Sequence, residues 1–273
     1  MKDITLGQYY PVKSPVHSLD PRTKIILTVL LIVFVFISKT FAGLGICALF
    51  ILTSTFIARI PLKNMLKSLK AIGVIIFFTF LLNLFFFTQG NAVFEYGIIK
   101  ITDSGITRAV FMAIRLILLI VGAGLLTFTT SPIELTDGLE RLFSPLKVIG
   151  FPAHEIAMMM SIALRFIPIL SEETDKIMKA QSARGAVFDQ GKLAKRVKAI
   201  VALLIPLLVS AFHRALELAN AMEARCYHGG EGRTRLKVLK MCKKDAVAFV
   251  IMGIFCLIIV ADNLILSKIF LVG

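Results

Sequence analysis

The chain has 273 residues, of which 57% are hydrophobic and 18% are charged, and 31 Lys and Arg against 17 Asp and Glu give a formal net charge of +14. A soluble domain of this length carries about a quarter charged residues, so the composition excludes an ordinary soluble domain and predicts an integral membrane protein. In a membrane protein, this basic excess indicates positively charged loops on the cytoplasmic side rather than nucleic acid binding.

Residues 1–130 are predicted to hold an amphipathic N-terminal segment and the first four transmembrane helices. Asp20 is a good N-cap, and Pro21 suits the first position of a helix. Four apolar runs then follow, over residues 25–38, 41–57, 71–87 and 108–128. Arg115 lies inside the fourth run. Because a charge in the bilayer core is costly, we expect this arginine to face protein or to lie nearer one end of its helix.

Residues 131–244 are predicted to form a cytoplasmic or interfacial domain of long helices. Ser131-Pro-Ile-Glu134 is a capping box, which starts an amphipathic helix that ends near Pro145 or Gly150. Two longer segments follow, over residues 153–184 and 191–225. The apolar part of each is about 14 or 15 residues long, which is short for a comfortable span, and each contains a proline. We therefore expect both to lie at the membrane interface, with polar extensions into the cytoplasm.

Residues 245–273 are predicted to hold the last transmembrane helix, from Ala246 to Leu264. The N-terminus, the loop over residues 59–70 and the region 131–244 carry the positive excess, so they should be cytoplasmic. The turn at 38–40, the loop at 88–107 and the C-terminus should face outwards. The sequence thus predicts an all-α, multi-pass protein of the cell membrane, with about five transmembrane helices and a cytoplasmic domain of long helices.

Two similar motifs end the two long segments: Ala180-Gln-Ser-Ala-Arg-Gly185 and Ala221-Met-Glu-Ala-Arg-Cys226. One interpretation is helix capping, because a cation in the last turn complements the helix dipole and a small residue after it allows a left-handed end. The repetition favours a second interpretation, in which each helix end docks into a groove. Small neighbours would let the end enter, and the lone arginine would meet a carboxylate or backbone carbonyls.

No catalytic or metal-binding pattern competes with these motifs. The four cysteines form no C-x-x-C pair, and His213 with Glu217 would supply only half of a metal site. No H-E-x-x-H, G-x-S-x-G or Walker A pattern occurs. We therefore predict no catalytic residue, no metal and no cofactor. Two alternatives stay open: a membrane-embedded enzyme, which would need paired catalytic groups, and a substrate-translocating ABC permease, which would need polar residues along a pathway.

The two motifs, the opening Gly7-Gln-Tyr-Tyr-Pro…Asp20-Pro-Arg-x-Lys24 and the stretch Met222-Glu-Ala-Arg-Cys-Tyr-x-Gly-Gly-x-Gly-Arg233 resemble the transmembrane T component of energy-coupling factor transporters, a family related to the CbiQ-type permeases. The resemblance covers nearly the whole chain. It implies a subunit that is not itself an enzyme and that joins two cytoplasmic ABC-type ATPases, which bind the ATP, to a small membrane S component, which binds a vitamin or metal substrate.

The resemblance also implies roles for particular residues. Each motif would dock into a groove of one ATPase subunit, through the residues Ala183, Arg184 and Gly185 in the first motif and Ala224, Arg225 and Cys226 in the second. The chain departs from the family pattern at Cys226, where glycine is usual. The substrate would be chosen by the S component, and the tail of the second motif favours several interchangeable S components over a single dedicated one.

Overall fold

The computed structural model describes residues 9–86, 92–96, 99–186, 188, 193–229, 239 and 241–270. The α-helices in these residues are α1 Pro21–Ile37, α2 Phe41–Ala58, α3 Leu62–Phe86, α4 Asp103–Thr129, α5 Pro132–Phe143, α6 Ala153–Ala183, α7 Leu193–Glu223 and α8 Lys243–Phe270. A 3-10 helix, Ser144–Ile149, joins α5 to α6. The predicted all-α class is confirmed, with one small addition: strands β1 Ala92–Tyr96 and β2 Ile99–Thr102 pair as an antiparallel hairpin between α3 and α4.

Some predicted features fall outside the described residues. These include the first two residues of the opening motif, Gly7 and Gln8, and the end of the second motif's tail, from Gly230 to Arg233. The last residue of the third apolar run, parts of the loop at 88–107 and the first two residues of the segment 191–225 also lie outside them. The described part of the chain divides into two compact units. We call residues 7–138 and 239–273 the membrane unit, and residues 139–238 the arm unit. The sequence-based boundaries after residues 130 and 244 concern position relative to the membrane, and they stay predictions.

In the membrane unit, α1, α2, α4 and α8 meet around an apolar core. Each helix contributes residues spaced three or four apart, which places them on one helix face. The rings of Phe50 on α2 and Phe255 on α8 stack with centroids 4.3 Å apart. The buried members of this core are Leu31, Val35, Leu44, Cys47, Ile51, Leu118, Met252, Phe255 and Ile259.

The segment before α1 together with the first turn of α1, residues 10–24, ties together the ends of several helices, and we call it the N-terminal brace. The Tyr10 N–H donates to the carbonyl of Phe128 at 3.0 Å, near the end of α4. The buried ammonium of Lys24 donates to the carbonyls of His17 and Thr129 at 3.0 and 2.9 Å. Because the carbonyls at a helix C-terminus lack partners within the helix, this lysine satisfies the end of α4 and also complements its dipole.

The starts of α1 and α8 share a carboxylate. Asp20 caps α1 by accepting from the Arg22 N–H at 2.9 Å, which confirms the predicted N-cap. The buried Asp245 accepts from the backbone N–H of Asp20 at 2.8 Å and from that of Cys242 at 2.7 Å. Burial by itself raises the pKa of Asp20, but the hydrogen bonds and charge of Arg22 outweigh it and hold that pKa below its ordinary value.

The other ends of α1 and α8 are also joined by polar contacts. The Asn263 amide donates to the carbonyl of Ile37 at 3.1 Å and accepts from the Lys39 N–H at 3.1 Å. Arg115 donates to the carbonyl of Ser38 and lies over the Phe111 ring, 4.7 Å from its centroid. The expectation that this arginine faces protein is therefore confirmed.

Among the described residues, five helices are long and apolar enough to cross a membrane, namely α2, α4, α6, α7 and α8, and the bent helix α3 is a sixth candidate. This confirms a multi-pass helical membrane protein. The number agrees with the prediction, but its members differ, because the predicted spans fall on α1, α2, α3, α4 and α8. Length and composition do not place a helix relative to a bilayer, so the interfacial position of α6 and α7 stays a prediction.

Candidate functional site

Helices α6 and α7 are each 31 residues long and pack against each other in the arm unit, and we call them the two arms. Both continue as helices through their prolines, Pro168 and Pro206. At their contact, the Glu173 carboxylate accepts from the Arg214 guanidinium at 3.0 Å and from the Ser210 hydroxyl. This is the polar centre of the arm contact.

The two arms run in opposite directions past this centre. Towards the N-terminus of α6, the residues that face α7 are Leu170, Phe166 and Ile162. Over the same distance, the facing residues of α7 go towards its C-terminus, from Arg214 to Met222. The C-terminal ends of the two arms therefore lie on opposite sides of the Glu173–Arg214 pair.

The first motif forms the C-terminal end of α6. Arg184 is the C-cap, and Gly185 follows with φ +88°. The Gly185 N–H donates to the carbonyl of Ser182 at 3.0 Å, and the Ala186 N–H donates to that of Gln181 at 3.0 Å. These two hydrogen bonds and the left-handed residue define a Schellman motif. We call residues 183–185 the first tip.

The second motif forms the C-terminal end of α7 in the same way. The Cys226 N–H donates to the carbonyl of Glu223 at 2.8 Å, and the Tyr227 N–H donates to that of Met222 at 3.0 Å. Cys226 has φ +52°, so it takes the left-handed position that Gly185 takes in the first tip. We call residues 224–226 the second tip. The departure from glycine at Cys226 therefore does not change the backbone of the helix end.

The two tips match in exposure and in their distance from the arm contact. All six tip residues are exposed. Arg184 lies eleven residues after Glu173, and Arg225 lies eleven residues after Arg214. At 1.5 Å per residue, each arginine is about 16 Å along its own helix from the contact. The structure thus presents two equivalent arginines and keeps them apart.

The tip arginines have no acidic partner within the described part of the chain. None of the ion pairs found there includes Arg184 or Arg225. A guanidinium has five donors in a planar arrangement, which suits a carboxylate or a row of carbonyl oxygens. Each tip therefore offers an unused charged donor group on a rigid helix end.

The second tip lies next to other elements of the arm unit. The residues that follow the second tip, His228 and Gly229, line a polar cavity of about 440 Å³ together with the end of α5, the 3-10 helix and the start of α6. In this cavity His154 contacts Glu140 at 2.9 Å between Nδ1 and Oε1. The second tip is therefore supported by other elements of the arm unit.

The described residues contain no group of three or more His, Cys, Asp or Glu side chains that could hold a metal ion. His213 and Glu217 do share one face of α7, where they line a shallow depression with Arg214, and no second pair of ligands joins them there. The cysteines at 47, 226, 242 and 256 are free thiols.

Sequence reasoning did not find the Glu173, Ser210 and Arg214 cluster. Glu173 lies among five charged residues between positions 172 and 179, so its composition gives no reason to single it out. The only available signal is its spacing, because each charged partner lies eleven residues before a tip arginine. That signal has meaning only once the two helices are known to cross there.

The fold and the tips together define a multi-pass helical membrane protein with two matched, exposed helix ends. A family model, CbiQ, described as "Cobalt transport protein", matches residues 12–236 of the chain. The match includes the N-terminal brace from Val12 onwards, both arms and both tips.

Curated relatives cover almost the same length. The "Energy-coupling factor transporter transmembrane protein EcfT" of Thermosediminibacter oceani is 52% identical over 254 residues, which is 93% of this chain and 96% of the relative. The protein of the same name in Heliobacterium modesticaldum is 53% identical over 259 residues, which is 94% of this chain and 97% of the relative. That of Bacillus subtilis is 48% identical over 250 residues, which is 92% of this chain and 94% of the relative. The chain therefore belongs to the EcfT family.

Proposed function

We propose that this chain is the membrane coupling subunit of an energy-coupling factor transporter. In this proposal it joins two cytoplasmic ABC-type ATPases to a substrate-binding S component and serves the uptake of vitamins or related micronutrients. The observation that carries the proposal is the pair of tips. They have the same helix-capping hydrogen bonds, and each has one arginine without an acidic partner among the described residues, at equal distances from the contact between the arms.

In the proposed mechanism each tip docks into a groove of one ATPase subunit, with Arg184 in one groove and Arg225 in the other. ATP binding draws the two ATPases together, and the tips move with them. Because each arm is a continuous helix of 31 residues, displacement at a tip moves the whole arm. The arms then pass this movement to the S component, which tilts and releases its substrate inward.

The proposal assigns no chemistry to this chain. ATP would be bound and hydrolysed by the partner subunits, and the substrate would be bound by the S component, so several S components could share one coupling subunit. Both tips and the N-terminus would be cytoplasmic. The names of the relatives support the assignment to an energy-coupling factor transporter, because they refer to the transmembrane protein of such a transporter.

The test is co-purification of the chain with its ATPases, together with substrate uptake, for Arg184→Ala, Arg225→Ala and the double variant. Each substitution removes a charge-assisted contact, which contributes about 1.5–3 kcal/mol. We expect each single variant to weaken ATPase retention and the double variant to abolish both retention and uptake.

Arg165→Ala and Lys198→Ala are matched controls, because these exposed cations lie on the same two arms, 19 and 27 residues before the tip arginine of their own arm. They should retain the ATPases as the unmodified chain does. A double tip variant that still co-purifies with its ATPases and still transports would refute the proposal.

A further inference from the structure

The membrane unit contains an apolar cavity of about 520 Å³, open at the surface between α2 and α8. Its floor is formed by α1 and α4, and the N-terminal brace borders one end. The side chains that line the two walls of the opening include Thr53 and Ile57 on α2 and Val247 and Ile251 on α8. All four are exposed, so this opening faces whatever surrounds the membrane unit.

Three of the four hydroxyls that line the cavity, and the Lys24 ammonium, are already engaged by the protein. The hydroxyls of Thr28, Thr53 and Thr129 donate to helix carbonyls at 2.8, 2.9 and 2.7 Å. The ammonium of Lys24 donates to two carbonyls of the N-terminal brace and α4. A polar ligand would therefore find few free donors inside, whereas hydrocarbon would lose nothing by entering.

The length of the cavity matches one leaflet of a bilayer. Along α8 the lining residues extend from Lys243 to Met252, ten residues, and the nine steps between them span about 14 Å of helix. Half of the hydrocarbon core of a bilayer is about 15 Å thick. An apolar groove of this length can hold acyl chains from one leaflet.

Two lysines stand at the mouth of the cavity. Lys243 and Lys244 are exposed and line its edge, and Lys244 donates to the Ser18 hydroxyl at 3.3 Å. No carboxylate in the described part of the chain forms an ion pair with either. The adjacent Asp245 is buried and accepts from two backbone N–H groups. The two positive charges are therefore available to a ligand.

We propose that this cavity is a binding site for one anionic phospholipid. The acyl chains lie between α2 and α8, and the phosphate lies against Lys243 and Lys244. Basic residues just outside a transmembrane segment attract anionic headgroups. Two such lysines together should raise the affinity for an anionic lipid by on the order of ten- to thirtyfold.

The experiment titrates the purified full chain, in detergent, with dioleoyl phosphatidylglycerol or dioleoyl phosphatidylcholine, and counts bound lipid by native mass spectrometry. The unmodified chain should prefer phosphatidylglycerol. In Lys243→Gln/Lys244→Gln we expect that affinity to fall by roughly tenfold or more, towards the value for phosphatidylcholine. The control Lys63→Gln/Lys67→Gln removes two exposed lysines from α3, away from the cavity, and should bind as the unmodified chain does.

Two further variants test the cavity itself. Ala248→Phe and Thr53→Phe place a ring in it from opposite walls while they keep both lysines. Each should lower the affinity for both lipids, and two positions guard against one variant that fails to fold. Equal losses in both lysine pairs would overturn the proposal, because the attraction would then be a general property of the basic surface. Unchanged lipid binding in both phenylalanine variants would also overturn it, and if those variants then lose a membrane partner, the cavity belongs to that partner.

Discussion

Cys226 adopts a left-handed backbone conformation, which disfavours any residue with a Cβ. Within the described residues, Arg59 is the other non-glycine residue with positive φ, and Gly185 holds the equivalent position in the first tip. The cap of α7 thus keeps its hydrogen bonds although its backbone is strained by about 1 kcal/mol. The second tip therefore keeps the same helix end as the first, but with a side chain at a position where glycine would be less strained.

Adding a side chain at Gly185 and removing one at Cys226 should have opposite effects on the stability of the two helix caps. Gly185→Ala imposes the left-handed penalty on the first tip, at a cost of about 1 kcal/mol, although space for the methyl group is open. Cys226→Gly removes the penalty from the second tip, partly offset by the greater freedom of glycine in the unfolded chain. Hydrogen exchange of the amides of Ala186 and Tyr227 measures each cap. Faster exchange at Tyr227 in Cys226→Gly would contradict this account.

His17 makes stability depend on pH. Its Nδ1 contacts the Ser14 hydroxyl at 2.7 Å, and its Nε2 contacts the Tyr10 carbonyl at 3.0 Å, so a neutral ring with the proton on Nε2 satisfies both. Burial lowers the pKa of His17 below its ordinary value near 6.5, and the Tyr10 carbonyl only partly opposes this shift. The folded chain thus disfavours the charged ring.

The sign of the pH effect follows from this lowered pKa. The contribution of His17 is complete above about pH 6.5 and is lost as pH falls through the lower pKa of the folded chain. We expect the thermal midpoint of the purified chain to fall from about pH 7.5 to about pH 5, and His17→Gln to reduce that slope. His213→Gln, which changes an exposed histidine on α7, should keep the full slope. A slope that is the same in all three chains would exclude His17 as its source.

At the scale of elements, the Glu173–Arg214 pair fixes where the two arms cross. It lies midway between the tips in residue count, with eleven residues to each arginine. Opposite charges at this point favour one register of the arms, because sliding one helix past the other by a turn, about 5.4 Å, would separate the groups. The pair thus places the two tip arginines at equal distances from the crossing.

Removing this pair should loosen the arrangement of the tips. We would attach spin labels at Ser182→Cys and Glu223→Cys, next to the tips, after replacing the native cysteines, and measure their separation by pulsed electron resonance. Glu173→Ala should broaden the distribution of distances, because it removes the acceptor of both Arg214 and Ser210. Glu172→Ala removes an exposed neighbouring carboxylate and should leave the distribution narrow. Equal widths in the two variants would show that apolar packing alone fixes the crossing.

Local signals in the sequence predicted helix starts well. Asp20 caps α1, and Ser131 accepts from the Glu134 N–H at 3.3 Å at the start of α5, as predicted. Hydropathy, by contrast, began the third span at residue 71 and made residues 59–70 a loop, which is wrong because α3 begins at Leu62. Hydropathy marks where a chain becomes apolar, and a helix can continue beyond that point into charged residues. The β1–β2 hairpin was not predicted: β2, Ile-Lys-Ile-Thr, alternates between apolar and polar residues, but a run of four residues is short for a strand signal.

The candidate site was predictable to a similar degree. The structure places each motif at an exposed helix end, as its Ala-Arg pair and small following residue indicated, while the docking role stays a prediction. The contact between Glu173 and Arg214 and the carboxylate shared through Asp245 were not predictable. They join residues 41 and 225 positions apart, and pairing over such distances leaves no local pattern.

At the scale of the whole molecule, the sidedness of α6 and α7 decides what the two tips can contact. Both helices are long and apolar enough to cross a membrane. If both crossed it, their C-terminal ends would lie on opposite sides of the bilayer. Two cytoplasmic ATPases could then reach only one tip, so the proposed function requires both tips on the same side.

Labelling with a membrane-impermeant maleimide separates these arrangements. When the other three cysteines are replaced, labelling of Cys226 reports the side of the membrane on which the second tip lies. In the same background, Ser182→Cys combined with Cys226→Gly leaves one cysteine beside the first tip and reports its side. We expect both to react in inside-out vesicles and neither in intact cells. Asp103→Cys, in the predicted outward loop, is the opposite control and should react in intact cells. Labelling of position 182 from outside would place the first tip beyond the reach of a cytoplasmic ATPase.

The hydrogen bond from the Asp20 backbone to Asp245 also bears on how the chain is made. The two residues are 225 positions apart, so the start of the first helix receives its buried acceptor only when nearly all of the chain has been synthesised. At 5–20 residues per second, the ribosome needs roughly 11 to 45 s to cover that distance. The start of α1 therefore lacks this acceptor during most of synthesis, and the arrival of α8 supplies it. A ribosome that stalls before residue 245 leaves a protein whose earliest segment is unfinished.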